Sequence, residues 1–236
     1  MAFEHDLCIR GAGIVGRTLA LLAARERLRV ALVAPPERTP GHTDMRAYAL
    51  SPASQALLQS LRCWPGESAA TPVLAMQVQA DQQGHVHFSA AEQGVAALNW
   101  IVDVPALEQQ LAQAVQYQAH IDTVSAPVAA PLTVVCEGRA SGTRAELGVE
   151  FDSVRYPQHA IATRLDCERA HEQVARQWFT PEGDILAFLP LGGPAGRAVA
   201  VVWSVASERA ATIAAWDDAT LAAHLHRFGG GALWQL

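Results

Sequence analysis

The sequence contains few cysteines, and they lie far apart. Cys8, Cys63, Cys136 and Cys167 form no Cys-x-x-Cys pair, whereas a structural zinc site needs clustered ligands. A disulfide framework is typical of short secreted chains rather than of a chain of 236 residues. We therefore expect four reduced thiols, no metal site and a cytoplasmic location.

Charged residues are also scarce, at 17% of the chain, and the formal net charge is −6. A nucleic-acid-binding protein needs a basic face, so we expect no nucleic-acid partner. Long apolar runs are missing, and the first residues include acidic side chains with no basic region before an apolar stretch. We therefore expect neither a signal peptide nor a membrane-spanning segment, which leaves open only peripheral contact with a membrane.

What the sequence does contain is a large apolar fraction, 50% of the residues, and an ordered pattern near its start. Residues 3–10 are typical of a buried strand, and a glycine-rich turn follows at 11–16. Apolar residues then recur at helical spacing from Ile14 to Leu22, and a second strand is predicted at 29–34. This order predicts one βαβ unit.

The turn between the first strand and the helix has the pattern Gly-x-Gly-x-x-Gly. In such a turn Gly11 would permit the tight bend, Gly13 would let the backbone approach a pyrophosphate, and Gly16 would allow close packing of the helix on the strand. A tight turn that binds nothing is the alternative interpretation. The candidate phosphate-binding residues are Gly11, Ala12, Gly13, Ile14, Val15 and Gly16.

Later segments predict further elements around this unit. A helix is expected at 51–64 with Ser51 as its N-cap, and a hairpin at 73–90. Residues 122–131 are interpreted as a shortened connection. The other predicted elements are helices at 104–116 and 217–228 and strands at 132–136, 156–165, 172–179, 185–191 and 198–205. We expect the hairpin to join the late strands in one antiparallel sheet.

Several segments resemble one known family, in the same order and over residues 4–236. "GAGIVGRTLAL", "DMRAYALSPASQALLQSLRCW" and "NWIVDVPALEQQLAQA" resemble the flavin-dependent aromatic hydroxylases of ubiquinone biosynthesis, which are p-hydroxybenzoate-hydroxylase-like proteins. "YPQHAIATRLDCERAHEQVARQWFTPEGDILAFLPL" and "VAVVWS" are similar to the substrate-domain strands of that family. These segments together are far more specific than the glycine pattern alone.

The resemblance implies an α/β fold, with a glutathione-reductase-type, Rossmann-like domain for FAD and NAD(P) and an antiparallel β substrate domain. Residues 1–72 and 98–150 would form the FAD-binding domain. Residues 73–97 and 151–216 would form the substrate domain. Residues 217–236 would begin a returning helical segment that is incomplete.

The resemblance also implies a function and a set of cofactor-binding residues. FAD would place its pyrophosphate on Gly11–Gly16, and Arg46 would contact the flavin nucleotide. Glu137 and Gly138 stand where the family has an Asp-Gly motif, followed by matching Ser141 and Arg144. The flavin would be reduced by NAD(P)H and would then use O₂ to hydroxylate a phenolic ubiquinone precursor.

In this family the flavin carries the chemistry, while the protein positions and shields it. The resemblance therefore assigns no catalytic side chain. The expected substrate is a small aromatic or prenylated phenol. A homodimer and a complex with other quinone-biosynthesis proteins are both left open.

The sequence departs from the family pattern at several points. Ala34 and Pro35 end the second strand where an acidic residue normally holds the ribose, and two prolines stiffen the path to Glu37. Val104 replaces a polar residue near the flavin. Family members also continue to a Gly-Asp motif that binds FAD, and this sequence ends before it.

These departures leave two alternatives open beside the hydroxylase. One is a non-catalytic, shortened relative that acts as a binding or accessory protein in quinone biosynthesis. The other, which is weaker, is a different flavoprotein or NAD-dependent oxidoreductase that uses the same glycine turn.

Two pairs of histidines and one pair of aspartates are candidates with simpler explanations. His85 and His87 share one face of a strand, but no third metal ligand is apparent, so they are expected to be solvated. His224 and His226 are expected on the surface of a helix. The pair at 217 and 218 is interpreted as a helix start rather than a carboxylate site.

Three aromatic residues of the late strands, Trp178, Phe179 and Phe188, are candidates for lining an aromatic substrate pocket. Packing in the core of a β-sheet is the simpler interpretation for each of them.

Overall fold

The computed structural model describes residues 3–34, 44–80 and 84–228. The strands are β1 (Leu7–Arg10), β2 (Val30–Val33), β3 (Ala47–Leu50), β4 (Ala70–Val73), β5 (Ala75–Gln79), β6 (His85–Ser89), β7 (Asn99–Asp103), β8 (Ile121–Val124), β9 (Leu132–Val135), β10 (Gln158–Asp166), β11 (Val174–Phe179), β12 (Ile185–Pro190) and β13 (Ala198–Ala206). The helices are α1 (Ile14–Arg25), α2 (Pro52–Ser60), α3 (Val104–Gln116), α4 (Gly142–Glu146), α5 (Ser207–Ala214) and α6 (Asp218–Phe228). Pro35 and Glu37, and the end of the predicted returning segment from 229 onward, lie outside the described residues.

The chain forms two compact units. Unit 1 contains Met1–Thr43, Ala56–Trp64 and Pro105–Ser153. Unit 2 contains Asp44–Gln55, Pro65–Val104 and Val154–Leu236. Each unit therefore draws on three separate stretches of the chain.

Unit 1 is built on a parallel sheet with the strand order β8-β2-β1-β9. Leu7 of β1 lies opposite Val30 on one side and opposite Leu132 on the other. Cys8 and Ile9 are fully buried at the centre of the sheet, as expected for a parallel strand covered on both faces. The predicted βαβ unit is confirmed by β1, α1 and β2.

The two edge strands of this sheet differ in character. Strand β8 carries Asp122, whose side chain is 71% exposed. Strand β9 exposes apolar side chains instead, with Leu132 56% and Val135 37% exposed. The described part of the chain places no further strand beyond β9 in this sheet.

Strand β8 corrects the prediction of a connection at 122–131. Ile121 is buried and lies opposite Val30 of β2, but Asp122 and Thr123 are polar and exposed. An edge strand with so few buried side chains gives a weak apolar signal in sequence. The prediction was wrong for residues 122–124 for this reason, whereas residues 125–131 do form the connection between β8 and β9.

Helix α1 packs on its sheet through small residues. Gly16, Ala20 and Ala24 are buried at successive helical turns. The sequence pattern also included Val15 in the apolar stripe, but its side chain is 68% exposed at the first turn. The short side chains allow the helix axis to approach the strands closely, so the stripe of small residues takes the inner face.

Unit 2 contains a six-stranded sheet with the order β10-β13-β12-β11-β5-β6. The strands from β10 to β11 pair antiparallel, and the longest ladder runs from the pair Gln158–Ala206 to the pair Asp166–Ala198. Strand β5 pairs with β11 in parallel and with β6 in antiparallel orientation. The expectation that the early hairpin joins the late strands is confirmed.

A second, three-stranded sheet of unit 2 has the order β3-β7-β4 and was not predicted from sequence. Its strands are four or five residues long. Strand β4 contains Pro72, which is tolerated because β4 lies at an edge. Short length and an internal proline are the features that hide such strands in a sequence.

One face of the six-stranded sheet forms the core of unit 2. Trp178, Phe188 and Trp203 are buried there, and Ile213 and Leu225 of α5 and α6 cover them. The rings of Trp178 and Phe188 meet edge to face, with 5.1 Å between centroids. The simpler interpretation, core packing, holds for these two aromatic residues.

Phe179 lies on the opposite face of the same sheet, because successive residues of a strand alternate between faces. Its side chain is 40% exposed. The three aromatic candidates of the sequence therefore do not line one pocket.

Across the described residues, none of the helices has both the length and the apolar character that a bilayer crossing requires.

Candidate functional site

The glycine turn, residues Gly11–Gly16, follows β1 and begins α1. Gly11 has a φ of +110°, and a Cβ atom there would lie 2.5 Å from the carbonyl oxygen of Cys136. The amide of Cys136 in turn donates to the carbonyl of Arg10 over 2.7 Å. Only glycine fits at Gly11, because the chain leaving β9 lies directly against the turn.

Gly16 is required for a different contact. A Cβ atom on this residue would lie 1.8 Å from the carbonyl oxygen of Gly11. The first turn of α1 therefore presses on the backbone that precedes it, as predicted for the third glycine of this pattern.

Gly13 faces open space. No atom lies within 4 Å of the position that its Cβ would take, and its φ of −78° suits any residue. Neither packing nor backbone conformation within the described chain requires glycine here. The absence of a side chain instead leaves room for another molecule to approach the backbone.

The beginning of α1 is suited to an anion. Gly13 is its N-cap, and among the described residues no side chain caps the helix and none in its first turn is acidic. The first amides of a helix lack intrahelical partners, and the helix dipole favours negative charge at that end. The residues of the glycine turn, including Ala12, Ile14 and the exposed Val15, therefore fit a pyrophosphate group.

The position of the turn in the sheet supports the same use. The chain passes from β1 through α1 to β2 on one side, whereas β9 lies on the other side of β1. The carboxyl ends of β1 and β9 are thus neighbours at the point where the strand order reverses. Open α/β sheets bind ligands at this point.

Glu137 follows β9 and directs its carboxylate into its own chain. It accepts hydrogen bonds from Ser141 Oγ at 2.7 Å, from Thr143 Oγ1 at 2.6 Å and from the Thr143 amide at 3.0 Å. These hydrogen bonds, first those of the Thr143 and Ser141 side chains, lower the pKa of Glu137 to about 2. Ser141 is the N-cap of α4 and accepts from the Arg144 amide.

Arg10, the last residue of β1, joins this arrangement. Its Nε lies 3.2 Å from Glu137 Oε1, and its Nη1 lies 2.8 Å from Glu146 Oε2. The pKa of Arg10 is raised, chiefly by the hydrogen bond to Glu146. Sequence reasoning missed Arg10, because nothing local in "CIRGAG" indicates partners more than a hundred residues away.

The carboxylate of Glu137 is therefore satisfied by Ser141, Thr143 and Arg10. Its expected contact with a cofactor stays a prediction, as does that of Gly138. The φ of +72° at Gly138 explains why a glycine is needed there. Arg144 donates to the carbonyl of Arg139 and stacks over the ring of Phe151 at 4.4 Å.

The second strand ends without an acidic residue. Ala34 donates its amide to the carbonyl of Val124 over 3.0 Å. Residues 35–43 lie outside the described part of the chain.

Arg46 belongs to unit 2 and has a carboxylate beside it. Its Nε lies 2.9 Å from Asp44 Oδ1, its Nη2 lies 2.6 Å from Asp44 Oδ2, and its Nη1 donates to Tyr48 Oη over 3.2 Å. The side-chain hydrogen bond from Arg46 lowers the pKa of Asp44. The Arg46 side chain is 52% exposed, so its guanidinium could release Asp44 and bind another anion.

The backbone that carries Arg46 is held by residues that sequence reasoning did not single out. Arg164 of β10 donates to the carbonyls of Met45 and Arg46 and pairs with Asp103. Val104, which replaces a polar residue of the family pattern, is fully buried, and its amide also donates to the Arg46 carbonyl.

A row of mainly apolar side chains crosses the face of the six-stranded sheet opposite the core. Val202, Ala187, Gln177, Val78 and Val86 pair in register from β13 to β6 and therefore share this face. Val202 is 37% and Val86 50% exposed. We call this row, with Phe179 and Phe88, the open face of the sheet.

The histidines divide into two cases. His85 and His87 are exposed on β6, as expected. His224 was predicted to be a surface residue, but it is half-buried. Its ring lies 4.9 Å from that of Trp216 and 5.4 Å from that of Trp203. Burial lowers its pKa. The described residues contain no group of three His, Cys, Asp or Glu side chains that could hold a metal ion.

The pair of aspartates is explained by helix capping. Asp217 accepts the amide of Thr220 over 2.7 Å at the start of α6, as predicted.

The cysteines are all free thiols in the structure. Burial raises the pKa of Cys167 to about 11 and raises that of Cys136 as well. Neither thiol is therefore activated as a nucleophile.

Comparison with known proteins identifies relatives by sequence, although no protein-family profile matches the chain. The 3-demethoxyubiquinol 3-hydroxylase of Escherichia coli is 28% identical over 214 aligned positions, and the alignment covers 79% of this chain and 54% of that protein. Ubiquinone hydroxylase UbiL of Rhodospirillum rubrum is 28% identical over 258 aligned positions, covering 97% of this chain and 58% of that protein. The chain thus spans little more than half the length of these relatives.

Solved structures share the fold. PqsL from Pseudomonas aeruginosa, a probable FAD-dependent monooxygenase, is 19% identical with a TM-score of 0.80, over 97% of this chain and 69% of that one. The p-nitrophenol 4-monooxygenase PnpA from Pseudomonas putida is 13% identical with a TM-score of 0.72, over 99% of this chain and 64% of that one. The chain is therefore similar in sequence to two ubiquinone-related hydroxylases and shares the fold of PqsL and PnpA.

Proposed function

We propose that this chain carries the FAD-binding and substrate-binding parts of a monooxygenase that hydroxylates a phenolic ubiquinone precursor with NAD(P)H and O₂. The observation that carries the proposal is the glycine turn, where Gly13 leaves open space beside an uncapped helix end. A pyrophosphate fits this turn in both charge and shape. The names of the two relatives support the reaction class.

The glycine turn of unit 1 would hold the diphosphate of FAD at Gly11–Gly16. Arg46 would be a cationic contact of the flavin nucleotide, as the resemblance implies. Bound FAD supplies the redox chemistry with NAD(P)H and O₂. Glu137 would act mainly by fixing the loop after β9 against the glycine turn, because its carboxylate already has three partners in its own chain.

The open face of the sheet supports the proposed substrate class. Its exposed side chains are apolar, with Phe179 40% and Phe88 43% exposed. An aromatic ring or a prenyl chain is stabilised by burying such a surface. We propose that a small aromatic or prenylated phenol lies against this face.

A prenylated phenol partitions into lipid, so the proposal includes peripheral contact with a membrane by a cytoplasmic protein. A homodimer or a complex with other quinone-biosynthesis proteins stays a prediction. Sedimentation of the purified chain, alone and with phospholipid vesicles, would measure both properties.

The proposal is tested by titrating the purified chain with FAD and recording flavin absorbance and fluorescence. We expect saturable, equimolar binding. A chain that stays colourless in excess FAD would overturn the proposal and favour the non-catalytic alternative.

A matched pair of variants makes the titration specific for the glycine turn. Gly13→Leu fills the open space and is expected to abolish binding. Gly66→Leu adds the same side chain at another exposed glycine with no atom within 4 Å and should bind FAD normally. With FAD bound, NAD(P)H oxidation and a hydroxylated product by mass spectrometry would then test the reaction.

A further inference from the structure

The segment that carries Arg46 is fixed by an arginine from a distant strand. Arg164 lies on β10, and its side chain is 28% exposed. Its Nη1 lies 2.7 Å from Asp103 Oδ2, its Nε donates to the Met45 carbonyl over 3.3 Å, and its Nη2 donates to the Arg46 carbonyl over 3.3 Å. A planar guanidinium can serve these three acceptors together, whereas an ammonium group cannot reach all of them in one geometry.

The same stretch of backbone is held from a second side. The Arg46 carbonyl also accepts from the amide of Val104 over 3.2 Å. The next residue, Ala47, lies opposite Asp103 at the start of the pairing between β3 and β7. The main chain at Arg46 is therefore anchored by β7, α3 and β10, while the next residues continue as an ordered strand.

The two arginines have different surroundings, which indicates different roles. The guanidinium of Arg164 is directed to carbonyl oxygens and to Asp103 within its own unit. The side chain of Arg46 is 52% exposed and pairs with Asp44. A long, exposed side chain is a precise ligand contact only where its backbone is fixed, since each freely rotating bond adds an entropic cost on binding.

We propose that Arg164 is a positioning residue for Arg46, and through it for the binding of FAD. The inference rests on the proposed function, in which Arg46 contacts the flavin nucleotide. Arg164 acts through hydrogen bonds to main-chain carbonyls, and Asp103 compensates its charge. Its contribution is therefore geometric rather than a long-range attraction for phosphate.

The test is the FAD affinity of Arg164→Gln, measured by quenching of flavin fluorescence. We expect a loss of about tenfold, the effect of a misplaced binding group rather than of an absent one. Arg169→Gln, which removes one positive charge from an exposed side chain of the same unit, is the control and should bind like the wild type.

A double-mutant cycle separates positioning from general structural support. In an Arg46→Ala background, Arg164→Gln should cause no further loss, because the residue through which it acts is gone. Amide hydrogen exchange at residues 45–50 should increase in Arg164→Gln, which gives a measurement that does not depend on bound FAD. If Arg164→Gln does not fold, Arg164→Lys keeps the ion pair with Asp103 and should show an intermediate loss of affinity.

Three outcomes would overturn the inference, and they are distinguishable. Wild-type affinity in a folded Arg164→Gln or Arg164→Lys variant would contradict the positioning role while leaving the proposed function intact. An equal loss of affinity in the Arg46→Ala background would show that Arg164 acts by another route. A wild-type chain that does not bind FAD would remove the proposed function and this inference with it.

Discussion

The carbonyl oxygen of Gly11 lies 1.8 Å from the position that a Cβ atom would take on Gly16. Gly16 is therefore required by the backbone of Gly11, and Gly11 by the backbone of Cys136, whereas no atom lies within 4 Å of the position that a Cβ would take on Gly13. In one turn, the fold explains two glycines and leaves the third to be explained by a ligand.

This difference predicts losses of stability of different size for two alanine variants of the turn. Gly16→Ala forces its methyl group into the Gly11 carbonyl and should destabilise the protein by at least ~1–3 kcal/mol, the usual cost of overpacking. Gly13→Ala should cost less than about 1 kcal/mol, the loss of a favourable N-cap. Urea unfolding of both variants measures the difference, and equal losses would contradict this account of the turn.

The lowered pKa of Glu137 predicts that the free energy of unfolding falls at low pH. Its pKa is lowered from 4.5 to about 2 in the folded protein, so its contribution is fully present above pH 4.5 and is lost as the pH falls toward 2. Glu137→Gln should lower the free energy of unfolding at pH 7 by about 1.5–3 kcal/mol, the value of hydrogen bonds to a charged group.

The difference between wild type and Glu137→Gln should therefore shrink between pH 4.5 and pH 2. Unfolding measured across this range checks it. Glu146→Gln is the matched control, because its side chain is 59% exposed and its ion pair with Arg10 should contribute much less. A constant difference across the pH range would show that the carboxylate charge of Glu137 is not what the loop requires.

Removing the charge of Asp44 should raise the affinity for FAD. Its carboxylate occupies the guanidinium of Arg46 at 2.6 Å and must be exchanged before Arg46 can bind phosphate. Asp44→Asn weakens this competitor and should tighten FAD binding about threefold to tenfold, within the range of a partly exposed charge pair. Asp166→Asn, the same change at an exposed aspartate of unit 2, should have no effect. Weaker binding in Asp44→Asn would mean that Asp44 orients Arg46 instead of competing for it.

Asp184 predicts a large loss of stability in unit 2. Its buried carboxylate accepts from Trp203 Nε1 at 3.2 Å and from Arg209 Nη1 at 3.0 Å. Asp184→Ala leaves the buried indole N–H without its acceptor and should cost about 2–3 kcal/mol. Asp217→Ala, which removes only an exposed helix cap, should cost about 1 kcal/mol. Equal losses in urea unfolding would show that the buried network adds nothing to the packing around it.

The parts of the fold that follow from the sequence are those with a local pattern. The unit β1–α1–β2 and the glycine turn were predictable because strand, glycines and helix are contiguous. The cap at Ser51 was also predictable, and its hydroxyl does accept the Ser54 amide. Strand β4 was not predictable, because it is four residues long and contains Pro72, so it lacks the usual sequence pattern of a strand.

The candidate site likewise contains one part that the sequence indicates and one part that it does not. Glu137 and Ser141 are four residues apart, so their resemblance to a motif could be recognised, but the sequence did not show that they bind each other. The contact between Arg164 and the Arg46 carbonyl joins residues 118 positions apart. No local signal exists for such a contact, because tertiary packing alone creates it.

Strand β9 has a practical consequence for handling this protein. Within the described residues no strand pairs with the outer edge of β9. Such an edge is a template for hydrogen bonding by another chain, and apolar side chains such as Leu132 and Val135 favour that association. The opposite edge strand, β8, carries the exposed charge of Asp122, which disfavours pairing with the strand of another chain. Concentrated samples should therefore aggregate through the β9 edge, and Thr133→Lys should reduce the aggregation that light scattering detects.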